Sequence, residues 1–211
     1  MSSPTRLLVF AKAPRPGAVK TRLIPLLGER GAAALHARLI RHTLQIAHEA
    51  ALGPLELHGA PAADPYLGEC AARYHATLIE QCAGDLGTRM HHALDAALAG
   101  GTPAILIGSD CPPLTAHHLS AAARALASES DAVVTPTEDG GYALIGMKRC
   151  DSRLFEGVAW SSARVMDQTR ERLRACGWHW VELETLWDID RPADYERLAI
   201  SGYDFLCETG S

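Results

Sequence analysis

TPAILIGSDCPPL, residues 102–114, is the stretch that decides the fold. Its first half is a continuous apolar run rather than an alternating one. Such a run suits a strand buried on both faces, as in a parallel sheet covered by helices. Gly108-Ser109-Asp110 closes the run, and Pro112-Pro113 forbid the chain from continuing into the sheet. The pattern then predicts a helix over 115–128 with Thr115 as its cap.

Outward from this stretch the same alternation repeats. Residues 6–12, 55–60, 76–81, 131–137, 142–147 and 179–184 read as strands. Residues 28–50, 87–99, 162–176 and 192–200 read as helices. Strand–helix alternation with apolar strands predicts an α/β fold, a mainly parallel sheet with helices on both faces. No linker, repeat or low-complexity segment interrupts the pattern, so one domain over residues 1–211 is expected. Ligands of open α/β sheets bind beyond the carboxyl ends of the strands, so the segments that leave those ends carry the functional reading.

Composition narrows the classes. Hydrophobic residues make up 47% and charged residues 21%, which argues against wholesale disorder. No run of 18 apolar residues predicts a membrane span, and the opening segment lacks the apolar core of a secretory signal. Six scattered cysteines with no Cys-x-x-Cys fit reduced thiols, so a cytoplasmic protein is expected. The net charge of −5 is segregated: residues 1–30 hold six basic side chains against Glu29, whereas residues 181–211 hold eight acids against two arginines. The acidic total disfavours nucleic acid as a partner, and a local basic loop opposite acidic segments points to a small anionic ligand with a metal.

After the first strand, FAKAPRPGAVKTRL (10–23) is a proline- and glycine-broken loop that presents Lys12, Lys20 and Arg22 around Gly17. It suits a di- or triphosphate, with the lysines as point charges and Arg22 as a bidentate fork. A solvated basic turn is the alternative. Neither a P-loop nor a dinucleotide fingerprint is present. Asp110, at the end of the main strand, is placed to hold a divalent metal beside phosphates, or to close the strand. GDLGTRM (84–90) is either a set of amides for a nucleotide or a turn with an N-cap. TEDGGYALIGM (137–147) is either an acceptor-binding loop with a general base or a hairpin turn. In VAWSSARVM (158–166), Ser161 or Ser162 is expected to cap the next helix, and Trp160 to stack or pack. In WDIDRPADYERL (187–198), Asp188 and Asp190 lie two apart and face the same way in extended chain. They either complete a metal site with Asp110 or, for Asp190, cap the last helix. Cys111 reads as a core filler, and the paired His91–His92 and His117–His118 as surface residues.

In this order, FAKAPRPGAVKTRL, GDLGTRM, LIGSDCPPL, TEDGGYALIGM, the AWSS segment and WDIDRPADYERL resemble a bacterial family related to the GT-A nucleotide-diphospho-sugar transferases. That family is described as glycosyltransferase-like and as radical-SAM/selenodomain-associated. It is also similar to the guanylyltransferase that activates phospholactate. The resemblance implies a Rossmann-like GT-A fold, nucleotide over the first basic loop and Mg²⁺ or Mn²⁺ at the Asp110 position. One departure stands out. Many glycosyltransferases of this fold carry Asp-x-Asp at the metal strand, whereas here a single Asp110 precedes Cys111-Pro112.

Together these readings assign Lys20, Arg22, Asp110 and Asp139 to catalysis. They assign Ala11, Lys12, Gly17, Lys20, Arg22, Asp85, Gly87, Arg89 and Ser109 to the nucleotide. Glu138, Asp139, Gly140, Gly141, Tyr142, Trp160 and Ser161 fall to the acceptor, and Asp110, Asp188 and Asp190 to the metal. Three activities are compatible. One is glycosyl transfer from a nucleotide-diphospho-sugar to a small-molecule acceptor. Another is nucleotidyl transfer from an NTP to a phosphorylated small molecule. The third is nucleotide binding without turnover.

Overall fold

The computed structural model describes residues 4–203 and 206–207, so Asp204 and Glu208 of the acidic C-terminal segment lie outside the described residues. Seven strands join one sheet: β1 (Arg6–Lys12), β2 (Leu55–Ala60), β3 (Thr77–Glu80), β4 (Ala104–Gly108), β5 (Ala132–Pro136), β6 (Tyr142–Met147) and β7 (Trp180–Glu182). Their order is β3-β2-β1-β4-β6-β5-β7. Six helices connect them: α1 (Ile24–Ala50), α2 (Pro65–Arg73), α3 (Leu86–Leu98), α4 (Ala116–Ala127), α5 (Val165–Ala175) and α6 (Pro192–Ile200). The fold is thus α/β and mostly parallel. β6 departs from this, running antiparallel to both β4 and β5.

Alternate residues of the strands feed two cores. Leu7, Val9, Ile105 and Ile107 face one side, where they meet Ile40 and Leu44 of α1, Leu67 of α2 and Leu119 of α4. Leu8, Phe10, Leu106 and Ile145 face the other, against Met90 and Leu94 of α3 and Leu173 of α5. Coverage on both faces is the reason these strands read as unbroken apolar runs. A third cluster joins Leu23, Leu35 and Leu39 to Trp187, Ile189 and Leu198, which ties the first loop and α1 to the C-terminal segment. No helix is long and apolar enough to cross a membrane, among the described residues.

Several expectations are corrected. α2 falls in a stretch with no predicted element. It is capped by the Asp64 side chain, which accepts from Tyr66 N at 3.2 Å, and Pro65 opens it. Gly28 breaks α1 with φ +68 and ψ 167, so regular helix begins just beyond it, near the expected start. Neither Ser161 nor Ser162 is the cap residue of α5; that is Arg164, which makes no side-chain cap bond and whose own amide donates to Ser162 Oγ at 3.3 Å. Instead Met166 N donates to Gly140 O at 2.8 Å. Asp190 does not cap α6; Asp194 accepts from Asp190 N at 3.0 Å and Arg191 N at 2.7 Å. His118 is not a surface residue. It is 9% exposed, and its Nδ1 accepts from Thr115 N at 3.0 Å in a capping box at the start of α4.

Candidate active site

The carboxyl ends of β1, β4, β5 and β7 meet at one edge of the sheet, and antiparallel β6 starts there. The loops leaving these ends enclose a cleft of about 740 Å³. Its floor includes Ala11, Lys12, Ser109 and Asp110, and its sides bring Lys20 and Arg22 opposite Asp139, Asp188 and Asp190. A smaller cavity of about 340 Å³ adjoins it and shares Arg22, Asp139, Ser161, Asp188 and Asp190.

The first loop is pinned across the molecule. Lys20 takes left-handed backbone (φ 48, ψ 41), and only 5% of its side chain is exposed. Its ammonium donates to Ile189 O at 2.6 Å and pairs with Asp110 Oδ1 at 2.9 Å. Arg22 pairs with Asp190. The 186–190 segment is stitched to the sheet as well: Ile189 N donates to Asp110 O at 2.9 Å and Leu186 N to Pro136 O at 2.9 Å. Lys20 is therefore a buried cross-link, whereas Lys12 is an exposed cation of the cleft and Arg89 a half-buried one whose Nε donates to Gly84 O at 3.0 Å.

Asp110 is half open. Its Oδ1 is buried without a hydrogen-bond donor of good geometry, yet 47% of the side chain is exposed. Burial raises its proton affinity, but Lys20 and His36 outweigh that and hold the carboxyl below its usual range. His36, on α1, is a residue the sequence reading did not single out. It is 5% exposed, its Nε2 lies 3.1 Å from Lys12 O, and its Nδ1 lies 3.7 Å from Asp110 Oδ1. Burial lowers its pKa against the pull of Asp110, which favours the neutral ring. Asp188 behaves in the opposite way to Asp110. Burial, then the nearby Asp139 and Asp110 charges, push it up to about 6.

The hairpin between β5 and β6 is ordered by Asp139, whose Oδ1 accepts from Thr137 Oγ1 at 2.6 Å and Gly141 N at 3.0 Å. Both readings of this loop thus coexist, a hairpin turn that faces the cleft. Glu138 is engaged by Arg197 through two bonds of 2.8 and 3.1 Å and reaches only the smaller cavity. Gly141, Tyr142, Trp160 and Ser161 line the main cleft, although the Tyr142 hydroxyl is directed to Met90 Sδ at 3.8 Å. Gly17, Asp85, Gly87 and Gly140 do not line either cavity. Asp85 is the N-cap of α3, accepting from Thr88 N at 2.8 Å. Gly87 is small for packing: an added Cβ would lie 2.7 Å from Phe155 O and from Trp160 Nε1. The structure thus gathers Asp110, Asp188 and Asp190 around one cleft. Their oxygens do not all fall within 4.8 Å of one another, and Asp190 is held by Arg22.

Residues 43–162, more than half of the chain, match the family model described as "Uncharacterized protein conserved in bacteria (DUF2064)". The chain belongs to the DUF2064 family. Among solved structures, this DUF2064 chain is similar to a protein of Desulfovibrio desulfuricans G20 described as a candidate nucleotide-diphospho-sugar transferase. The two share 29% identity with a TM-score of 0.84, over 96% of this chain and 90% of that one. It also has the fold of a nucleotidyl transferase from Methanothermobacter (14% identity, TM-score 0.64, 94% and 97% covered). A third likeness is to CMP:2-keto-3-deoxy-manno-octonic acid synthetase complexed with CTP (10% identity, TM-score 0.62, 96% and 100% covered). No curated protein matches the sequence. Two of these structural neighbours are described as transferases and the third as a synthetase complexed with CTP, and the DUF2064 chain shares their fold.

Proposed function

We propose that this chain is a glycosyltransferase that takes a nucleotide-diphospho-sugar as donor and a small hydroxylated molecule as acceptor. The observation that carries this reading is the charge layout of the two cavities. In the larger, Lys12, Lys20, Arg22 and Arg89 balance Asp110, Asp139, Asp188 and Asp190, so a diphosphate finds cations at hand. The smaller sets Glu138, Asp139, Asp188, Asp190 and Asp194 against Arg22 and Arg191, and with Arg197 engaging Glu138 the carboxylates still outnumber the cations. That excess of carboxylates repels a phosphorylated acceptor and offers hydrogen-bond acceptors to hydroxyls. The 29% likeness to a candidate nucleotide-diphospho-sugar transferase supports the same reading.

A divalent ion suits the donor set. Asp110 Oδ1 is buried without a well-aligned donor, and the proton affinity of Asp188 is raised by burial and then by the nearby Asp139 and Asp110 charges, a cost that a cation relieves. Asp110 and Asp188 would hold Mg²⁺ or Mn²⁺, with Asp190 nearby, and the bound ion supplies charge neutralisation to the departing diphosphate. Lys12 and Arg89 bind the phosphates from the open side of the cleft. Lys20 holds Asp110 in place and adds its charge from below. Asp139, fixed through Oδ1, keeps Oδ2 to orient or deprotonate the acceptor hydroxyl. Trp160 walls the acceptor side.

Nucleotidyl transfer is the second reading. Among the described residues, Lys12 and Arg89 form no salt bridge with a carboxylate of the cleft, beside the paired Lys20 and Arg22, and the larger charge of a triphosphate competes better for all four. The deciding experiment offers nucleotide-sugars, and separately NTPs with sugar phosphates, in the presence of Mn²⁺. Thermal shift and released products are read together. Stabilisation by one nucleotide-sugar with release of nucleoside diphosphate is expected. Pyrophosphate release replaces the first reading by the second. Binding without product makes the chain a nucleotide-binding module, and no response to any nucleotide overturns all three.

A further inference from the structure

On the face of the sheet that α3 covers, His91 and Asp95 stand one turn apart on that helix, where positions i and i+4 share a side. Cys150, in the turn after β6, comes up against them, and its Sγ lies 4.0 Å from His91 O. One donor atom from each of the three residues falls within 4.8 Å of the other two, and no other such trio exists among the described residues. Asp95 is exposed and has no cationic partner in any ion pair of the described residues, while His91 and Cys150 are half-buried. None of the three lines the nucleotide cleft.

We propose that His91, Asp95 and Cys150 form a zinc site, with the fourth position left to solvent. Imidazole, carboxylate and thiolate together match Zn²⁺, whereas Mg²⁺ and Mn²⁺ prefer oxygen donors, so this site is chemically separate from the one at Asp110. Bonds of about 2.0–2.3 Å in a tetrahedron put donor atoms roughly 3.3–3.8 Å apart. Side-chain rotations of about 1 Å close the trio around the ion. On binding, the Cys150 thiol releases its proton to solvent and the sulfur takes the metal. The ion staples α3 to the end of β6. The first turn of α3 supplies Leu86 and Arg89 to the cleft, so the staple holds that wall in place.

The test uses the whole chain, stripped of metal and titrated with Co²⁺ and Zn²⁺. One equivalent of Co²⁺ is expected to give a thiolate-to-cobalt charge-transfer band that excess Mg²⁺ does not remove. Zn²⁺ is expected to raise the unfolding midpoint. Cys150→Ser should abolish the band and weaken Zn²⁺ binding by more than about tenfold, and His91→Ala should weaken it likewise. Absence of the band in the unaltered protein overturns the proposal. So does a band that survives Cys150→Ser, since the thiolate then comes from another cysteine. If Cys150→Ser fails to fold, His91→Gln carries the decision: unchanged Zn²⁺ affinity overturns the site.

Discussion

Lys20 combines two costs, a left-handed backbone and a desolvated ammonium, and both are met by what it touches. The ammonium is matched by Asp110 and the Ile189 carbonyl. Lys20→Met keeps the apolar stem but leaves Asp110 without its main countercharge. A fully buried pair broken this way costs about 3–5 kcal/mol, and because Asp110 is half exposed we expect about 2 kcal/mol, read as a lowered urea midpoint. Asp188 predicts the opposite sign. Its folded carboxyl titrates at about 6, above the ordinary value near 4, so the folded state holds that proton longer than the unfolded one. Its contribution to stability therefore declines as pH rises from about 4 to 6 and stays low above that. Asp188→Asn should be more stable than the unaltered chain at pH 7 by about 1–2 kcal/mol, discounted for partial exposure, and equal to it at pH 4. Matching unfolding midpoints at pH 7 would count against a raised proton affinity of the buried Asp188. Asp110 and Asp188 were legible in the sequence because each comes just after a strand. His36 was not singled out, although a signal existed: it lies four residues from both Ala32 and Ile40, on the buried stripe of α1.

Between β5 and β6 the chain turns through Thr137–Gly141, and this turn does two jobs. It aims Asp139 at the cleft, and its Gly140 carbonyl receives the amide of Met166, the second residue of α5. Gly140 has φ +88, and a Cβ there would sit 2.2 Å from Ala163 O, so only glycine fits. Gly140→Ala should destabilise by about 2 kcal/mol or more through clash and backbone strain, seen as a fall in Tm. A Tm within one degree of the unaltered protein would show that the 159–164 segment moves aside freely. β1, β2, β4, β5 and β6 were legible at their correct places because their runs are apolar and buried, whereas β3 and β7 are short and partly exposed and were legible only from their β-branched and aromatic residues. α2 was missed because it is short and comes after a proline-rich turn. Yet β2 and β3 are parallel neighbours, which requires a crossover, and a crossover commonly holds a helix. The antiparallel placement of β6 was only half legible. The Asp-Gly-Gly hairpin alternative implied β5–β6 pairing, but nothing local tells that β6 then inserts beside β4.

Across the whole molecule, the basic N-terminal segment and acidic C-terminal segment meet at the cleft, through Arg22 with Asp190 and Lys20 with Ile189 O. The charge split seen in the sequence thus becomes a contact in three dimensions. The exposed Lys12 and the half-buried Arg89 are screened by salt more than the buried Lys20. Nucleotide affinity should consequently weaken several-fold between low and high ionic strength and then level off, measured by calorimetry. An affinity indifferent to salt would remove Lys12 and Arg89 from phosphate binding. The sequence could not show which cations are open and which are locked, because that depends on pairings 168 and 169 positions apart. The same long-range stitch bears on synthesis. A ribosome delivering about 5–20 residues per second exposes Lys20 on the order of ten seconds before Ile189 exists. Strands β1 to β4 can pair in that interval and bring Asp110 to Lys20, but the basic loop still lacks the Ile189 carbonyl and Asp190. The loop therefore reaches its full set of contacts only at the end of translation, and a chain halted before residue 186 should carry a partial sheet and hold its ligand more weakly.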